Sequence, residues 1–200
     1  VVGFGFPIVA LIVLTLATGL LDALALIVVP TLLTNVWQAL AGQPLRATLA
    51  RMGLYFACAV AGILVTSQFL KTADTNLLTG LLGCVLFVFA VSRLMQFKIT
   101  VPAEREKPLS FVLGSLNGAL TGLTGSFMVP SVLYMQALGF PRDMLVQAMG
   151  VFFFVSTLTL TLSLGFNDLI SMEAAGMSTA ALIPSFAGLY GGRWLRRRID

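Results

Sequence analysis

Histidine is absent from this chain of 200 residues, cysteine occurs only twice, and charged residues make up just 10% of it. Each shortage excludes something. Without an imidazole there is no Ser-His pair for acyl transfer and no side chain that titrates near neutrality to relay protons. Cys58 and Cys84 lie inside apolar runs. Two isolated cysteines build neither a disulfide framework nor a metal cluster, so they read as small packing residues. No paired carboxylates or metal-ligand constellation stand within reach of one another. The chain is therefore expected not to be an enzyme and to carry no cofactor and no metal.

What fills the space is apolar. Hydrophobic residues account for 58% of the chain and the mean hydropathy is +0.98. No soluble domain of this size needs so much apolar surface, so the composition predicts an all-α polytopic membrane protein. Apolar stretches run near 1–19, 22–41, 50–70, 77–96, 110–139, 143–165 and 171–192. Most have the roughly 20 residues that cross a hydrocarbon core of about 30 Å. A sequence pI near 9.5 could suggest a nucleic-acid partner, but the basic residues sit in short loops rather than in one patch. They act as topology signals, and the expected partners are the lipid bilayer and a small solute. The chain starts inside an apolar run without a basic leader and stops in Arg196-Arg197-Arg198-Ile199-Asp200. That pattern reads as a fragment with at least one further span to come.

The stretch 110–139 is too long for one untilted crossing and too short for two, and Gly122, Gly125 and Pro130 interrupt its centre. A helix breaks or kinks there, and two half-helices meeting at mid-membrane fit the length. The basic residues decide between crossing and turning back. With a single crossing, Arg46, Arg51, Arg93, Lys98, Arg105 and Lys107 face one side, and Lys71, Arg142, Arg193, Arg196, Arg197 and Arg198 the other, six against six. With a re-entrant hairpin, Arg142 and the four C-terminal arginines change sides, giving eleven against Lys71 alone. That asymmetry is what the positive-inside rule requires, and it makes the basic side cytoplasmic. Trp37 and Trp194 fall toward the same side, as interfacial aromatics do.

The hairpin has an internal counterpart. An offset of 120 places Gly5 on Gly125, Val9 on Val129, Ala17 on Ala137 and Gly19 on Gly139. Each unit is a glycine-broken segment followed by further spans, which gives repeat one over 1–96, a cytoplasmic linker over 97–109 and repeat two over 110–200. A hairpin plus three spans is odd in crossings, so the repeats are inverted, as in secondary transporters. On this alignment the first arm of hairpin one and the last helix of repeat two are missing.

The residues Gly3–Val9, GFGFPIV, and Gly122–Pro130, GLTGSFMVP, each followed by an apolar arm ending in glycine, resemble the sulfite exporter TauE/SafE family of anion permeases, also called TSUP. The stretches VVPTLLTNVWQALAG and VLYMQALGFPRDMLVQAMGVFFFVSTLTL resemble the spans after its two motifs. The resemblance implies transport of sulfur-containing oxyanions such as sulfite or organosulfonates across the cell (inner) membrane.

The residues supply their own reason for an anion. A broken helix leaves free backbone N–H groups and a half-helix dipole at mid-membrane, where an anion can be held by fixed dipoles. Ser126 is the leading candidate, with the Ser126 and Phe127 amides expected to open the second half-helix. Asn117, Thr121, Gly122, Thr124 and Gly125 are its neighbours, and Gly3, Gly5 and Phe6 form the matching turn in repeat one. Asn35 and Gln147, in the spans after the two hairpins, complete the candidate set. Gln38 and Ser156 are expected to make interhelical hydrogen bonds, Thr157 and Thr159 to bond their own helix, and Gly114 and Gly118 to serve close packing. A translocase of a lipid phosphate and a structural membrane subunit are the alternative functions. Oligomeric state, coupling ion and direction are not legible.

Overall fold

The computed structural model describes residues 5–40, 45–95 and 100–167. The expected apolar stretch 171–192, Gly3, Lys98 and the C-terminal arginines lie outside the described residues. The described chain forms seven α-helices: α1 Gly5–Thr18, α2 Leu20–Leu40, α3 Leu45–Thr66, α4 Thr75–Leu94, α5 Ala103–Thr124, α6 Ser131–Ala137 and α7 Arg142–Phe166. A 3-10 turn, Ser67–Lys71, extends α3. Four stretches are long and apolar enough to cross a membrane: Asp22–Leu40, Leu45–Leu70, Thr75–Leu94 and Arg142–Phe166. Their outer faces carry Leu33, Trp37, Leu64, Phe69, Leu77, Phe87 and Leu94 in the open, a surface suited to lipid rather than water.

Local chemistry sets the boundaries. Gly19 alone joins α1 to α2; at φ +89° it takes a backbone conformation that side chains disfavour. Asp74 caps α4 by accepting from the Asn76 amide at 2.7 Å. Gly125 ends α5 at φ +69°, its N–H donating to the Thr121 carbonyl at 2.8 Å.

Side-chain pairings fix the helix directions. α3 and α5 run parallel through a seam of small residues. A Cβ on Gly114 would meet Tyr55, one on Gly118 would meet Ala59, and one on Gly122 would meet Thr66 and Ile63. Backbones come this close only where side chains are absent. α7 runs parallel to α3: Thr48 bonds Gln147 at 3.0 Å, Phe56 stacks on Phe152 with centroids 5.8 Å apart, and Ser67 meets Ser163 at 2.6 Å. α2 is antiparallel to α7. Gly150 packs on Gln38 and Ala39, while Thr31 and Leu24 face Thr157 and Leu164 further along the pair.

After α5 the chain reverses and returns beside itself. Asn117 donates to the Phe127 carbonyl at 3.3 Å, the Tyr134 hydroxyl meets Ser110 at 2.8 Å and donates to the Glu106 carbonyl at 2.9 Å, and the Val101 amide donates to Ala137 at 2.9 Å. The start of α5 and the end of α6 therefore share one end of the bundle. The starts of α3 and α7 and the end of α4 join them, which collects Arg46, Arg51, Arg93, Arg105, Lys107 and Arg142 at that end. Lys71 follows α3 at the opposite end.

The two arms differ from the expected pair of half-helices. The first is a helix of 22 residues, and the second is a non-helical stretch, 125–130, that bends at Gly125 and turns again at Val129 and Pro130 before a helix of only seven. Pro130 is the cause: it has no N–H, and its ring would strike the carbonyl four residues back if a helix had started at Gly125. The second helix begins at Ser131, five residues later than the Ser126 start that the glycine break suggested.

Candidate functional site

The returning stretch is held by its carbonyls. Thr121 Oγ1 lies 3.1 Å from Asn117 Oδ1 and 3.3 Å from the Ser126 carbonyl, while the Phe127 carbonyl accepts from Asn117 and from the Ser131 hydroxyl. Thr124 donates to the Leu120 carbonyl at 2.7 Å and accepts from the Ser126 amide at 3.2 Å. Among the described residues, no acceptor takes the amides of Phe127, Met128 and Val129. All three residues are buried. Side chains of α5 thus do the work that a helix ladder would do for the carbonyls, and leave a row of donors unused.

Beside this stretch a narrow cleft of about 20 Å³ opens between α2 and α7. Gly125 and Phe127 form one wall, Leu24, Ile27 and Thr31 a second, and Thr157, Leu160 and Leu164 a third. A neighbouring cleft on the α1 side shares Ile27, Gly125 and Phe127. The hydroxyls of Thr31 and Thr157 are buried and have no hydrogen-bond partner. The same holds for the Asn35 side-chain NH2, one turn along α2 from Thr31, and for the Ser156 hydroxyl next to Thr157. Of these four unsatisfied buried groups Thr31 and Thr157 line the cleft, and leaving their hydroxyls unpaired is costly unless something fills the space between them.

The expected site residues are distributed unevenly around this cleft. Gly125 and Phe127 line it, Ser126 lines the neighbouring one, and Asn35 stands one turn away. Asn117, Thr121 and Thr124 support the turn from behind. Gly122 packs against α3. Gly5 and Phe6 lie in the first turn of α1. Gln147 is engaged elsewhere, with Thr48 and, at 3.4 Å, with the Ala39 carbonyl. It stands ten residues, about 15 Å along the helix, from Thr157. Thr159 bonds the Val155 carbonyl of its own helix, as expected, but Thr157 does not. Thr31 had no distinguishing signal beyond its i, i+4 spacing from Asn35 on one helical face.

Charge is kept away from the cleft. Among the described residues no charged side chain is buried. The strongest ionic contact closes the basic end, where Arg51 grips Glu106 with two hydrogen bonds, one of 3.0 Å. Arg51 also donates to the Leu138 carbonyl at 3.1 Å and lies 4.6 Å from the Phe140 ring centroid. Its hydrogen bond holds the Glu106 carboxyl below the ordinary glutamate range.

Four membrane-length apolar helices around a chain reversal make this an integral membrane protein. The family model of the sulfite exporter TauE/SafE matches residues 1–200, and the chain belongs to that family. No curated protein and no solved structure matches it.

Proposed function

We propose that the protein is a permease for small sulfur-containing oxyanions such as sulfite or organosulfonates, and that it binds them with neutral donors in the α2–α7 cleft. The observation that carries this reading is the pair of buried, unpartnered hydroxyls of Thr31 and Thr157 lining the cleft, with Asn35 and Ser156 near them on the same helices, beside the non-helical stretch whose amides meet no acceptor among the described residues. An oxyanion presents several acceptors and no donors, which is the complement of such a wall. The stretch Ser110–Gly139 is read as a re-entrant hairpin whose two ends face the cytoplasm, supported by the collection of basic residues at one end of the bundle. Its apex then lies about 21 Å from Ser110, and Phe127, level with Asn117, lies about 10 Å from it, within the core of the bilayer. The antiparallel pair α2 and α7 supports two inverted repeats, because the first full span after each hairpin must run in opposite senses. A monoanion leaving a negative cytoplasm gains about 2.3 kcal/mol per 100 mV, so export across the inner membrane needs no coupling ion.

The test is electrogenic flux of sulfite, methanesulfonate and phosphate in proteoliposomes holding the full-length protein, with Asn35→Leu as the comparison. A current with sulfur oxyanions that falls about tenfold in the variant is expected. A folded protein that moves none of them overturns the reading.

A further inference from the structure

Among the described residues the cleft has donors but no counter-charge, and this constrains what an occupant can be. Its polar groups are hydroxyls, with the Asn35 amide one turn away, and its remaining walls are the aliphatic side chains Leu24, Ile27, Leu160 and Leu164. The described charged groups on the surrounding helices all lie away from it. Asp22 is exposed in the first turn of α2; Arg93 of α4 donates to Gln136 at 3.1 Å; Glu104, Arg105, Glu106 and Lys107 of α5 and Arg142 and Asp143 of α7 sit at the basic end. Arg51 is already paired with Glu106. The cost of moving an ion out of water rises with the square of its charge. Neutral dipoles can repay that cost for one charge far more readily than for two, and none of the described cations stands opposite.

We propose that this cleft selects oxyanions by charge state, accepting monoanions and rejecting dianions, with the Thr31 and Thr157 hydroxyls as the groups that orient the head group. The inference rests on the permease reading above and goes further, because it makes the protonated, singly charged form of a weak diprotic acid the transported species. It also assigns a direction of pH dependence to a site that contains no titratable side chain of its own among the described residues.

The experiment compares three anions in proteoliposomes at clamped membrane potential: methanesulfonate, always a monoanion; sulfate, a dianion throughout; and sulfite, which changes charge near neutrality. Methanesulfonate flux is expected to stay level between about pH 8 and about pH 6, while sulfite flux rises with its singly protonated fraction, approaching tenfold per unit on the alkaline side. Sulfate is expected to remain at background. Sulfate flux equal to that of methanesulfonate, or sulfite flux that rises with pH, overturns charge selection and leaves the permease reading standing. Absence of flux with all three overturns both. Thr31→Val and Thr157→Val are each expected to lower methanesulfonate flux about tenfold while leaving thermal stability equal or higher, because each removes an unpartnered buried hydroxyl. Unchanged flux in both variants refutes the orienting role. A loss of flux accompanied by a loss of stability also counts against it, since that is the mark of a structural hydroxyl.

Discussion

Residues Gly5–Thr18 and Gly125–Leu138 stand 120 apart, begin with glycine and continue as apolar arms, yet they fold differently. The first is one continuous helix; the second is irregular as far as Pro130 and helical only from Ser131. Each contains a proline, and its position makes the difference. Pro7 is the third residue of α1, where an N–H has no helical partner to lose. Pro130 would be the sixth residue of a helix begun at Gly125, in conflict with the Ser126 carbonyl. That carbonyl and the one after it turn to Thr121 and Asn117 instead. In α1, amides from Val9 onward enter the helix ladder. In the second arm, those of Phe127 to Val129 meet no acceptor among the described residues. Two segments of similar composition thus give one packing helix and one surface of donors.

The most damaging way to break this comparison is at its apex. Gly125→Val places a branched side chain at φ +69° and drives it into Leu24. It should cost about 1–3 kcal/mol in backbone strain and abolish flux, as read by thermal unfolding and proteoliposome transport. Next comes Pro130→Ala, which restores a donor for the Ser126 carbonyl and lets the helix grow backward. Hydrogen exchange should then show new protection at Val129 and at position 130, whose amides would reach the Gly125 and Ser126 carbonyls, with flux reduced severalfold; unchanged exchange would mean that proline position is not what separates the two arms.

Smaller effects are expected at the basic end, which anchors the second arm. Arg51→Gln removes the paired hydrogen bonds to Glu106 and the bond to Leu138, and should lower stability by about 1 kcal/mol, since the pair is partly exposed. The smallest effect is a pH dependence. Glu106 lies before Ser110, outside the apolar segment, and its folded pKa is lowered by Arg51. Protons therefore bind the unfolded chain more readily. The contribution is present above the ordinary glutamate range, near 4.3, and is lost as pH falls through the lower folded value. Wild type should lose about 0.5 kcal/mol in that window relative to Glu106→Gln, measured by urea midpoints in detergent.

Much of the fold was legible because its signals are local. The expected stretches near 22–41, 77–96 and 143–165 agree with α2, α4 and α7 within a few residues; α3 starts at Leu45 rather than near residue 50, because an amphipathic first turn carrying Arg46 precedes its apolar run. The close-packing roles of Gly114 and Gly118 were likewise readable from spacing, and Ala59 fills the place opposite Gly118. Less was legible at the cleft. Thr34, Thr159 and Thr161 bond their own helices, while Thr31 and Thr157 do not. All five look alike in sequence. What separates them is the neighbour each one meets across α2 and α7.

The sequence by itself determined that the chain is a bundle of membrane-length helices, that its basic residues cluster at one end only if Ser110–Gly139 turns back, and that a helix cannot run unbroken through Gly125 and Pro130. These follow from hydropathy, charge and backbone geometry, which act over a few residues and need no partner. The tertiary structure alone decided that the second arm is irregular for its first six residues and that α5 side chains bond the Ser126 and Phe127 carbonyls. It also decided that two unremarkable threonines face an apolar cleft without partners. Whether a buried donor is spent or free depends on groups more than a hundred residues away, and no local pattern carries that information.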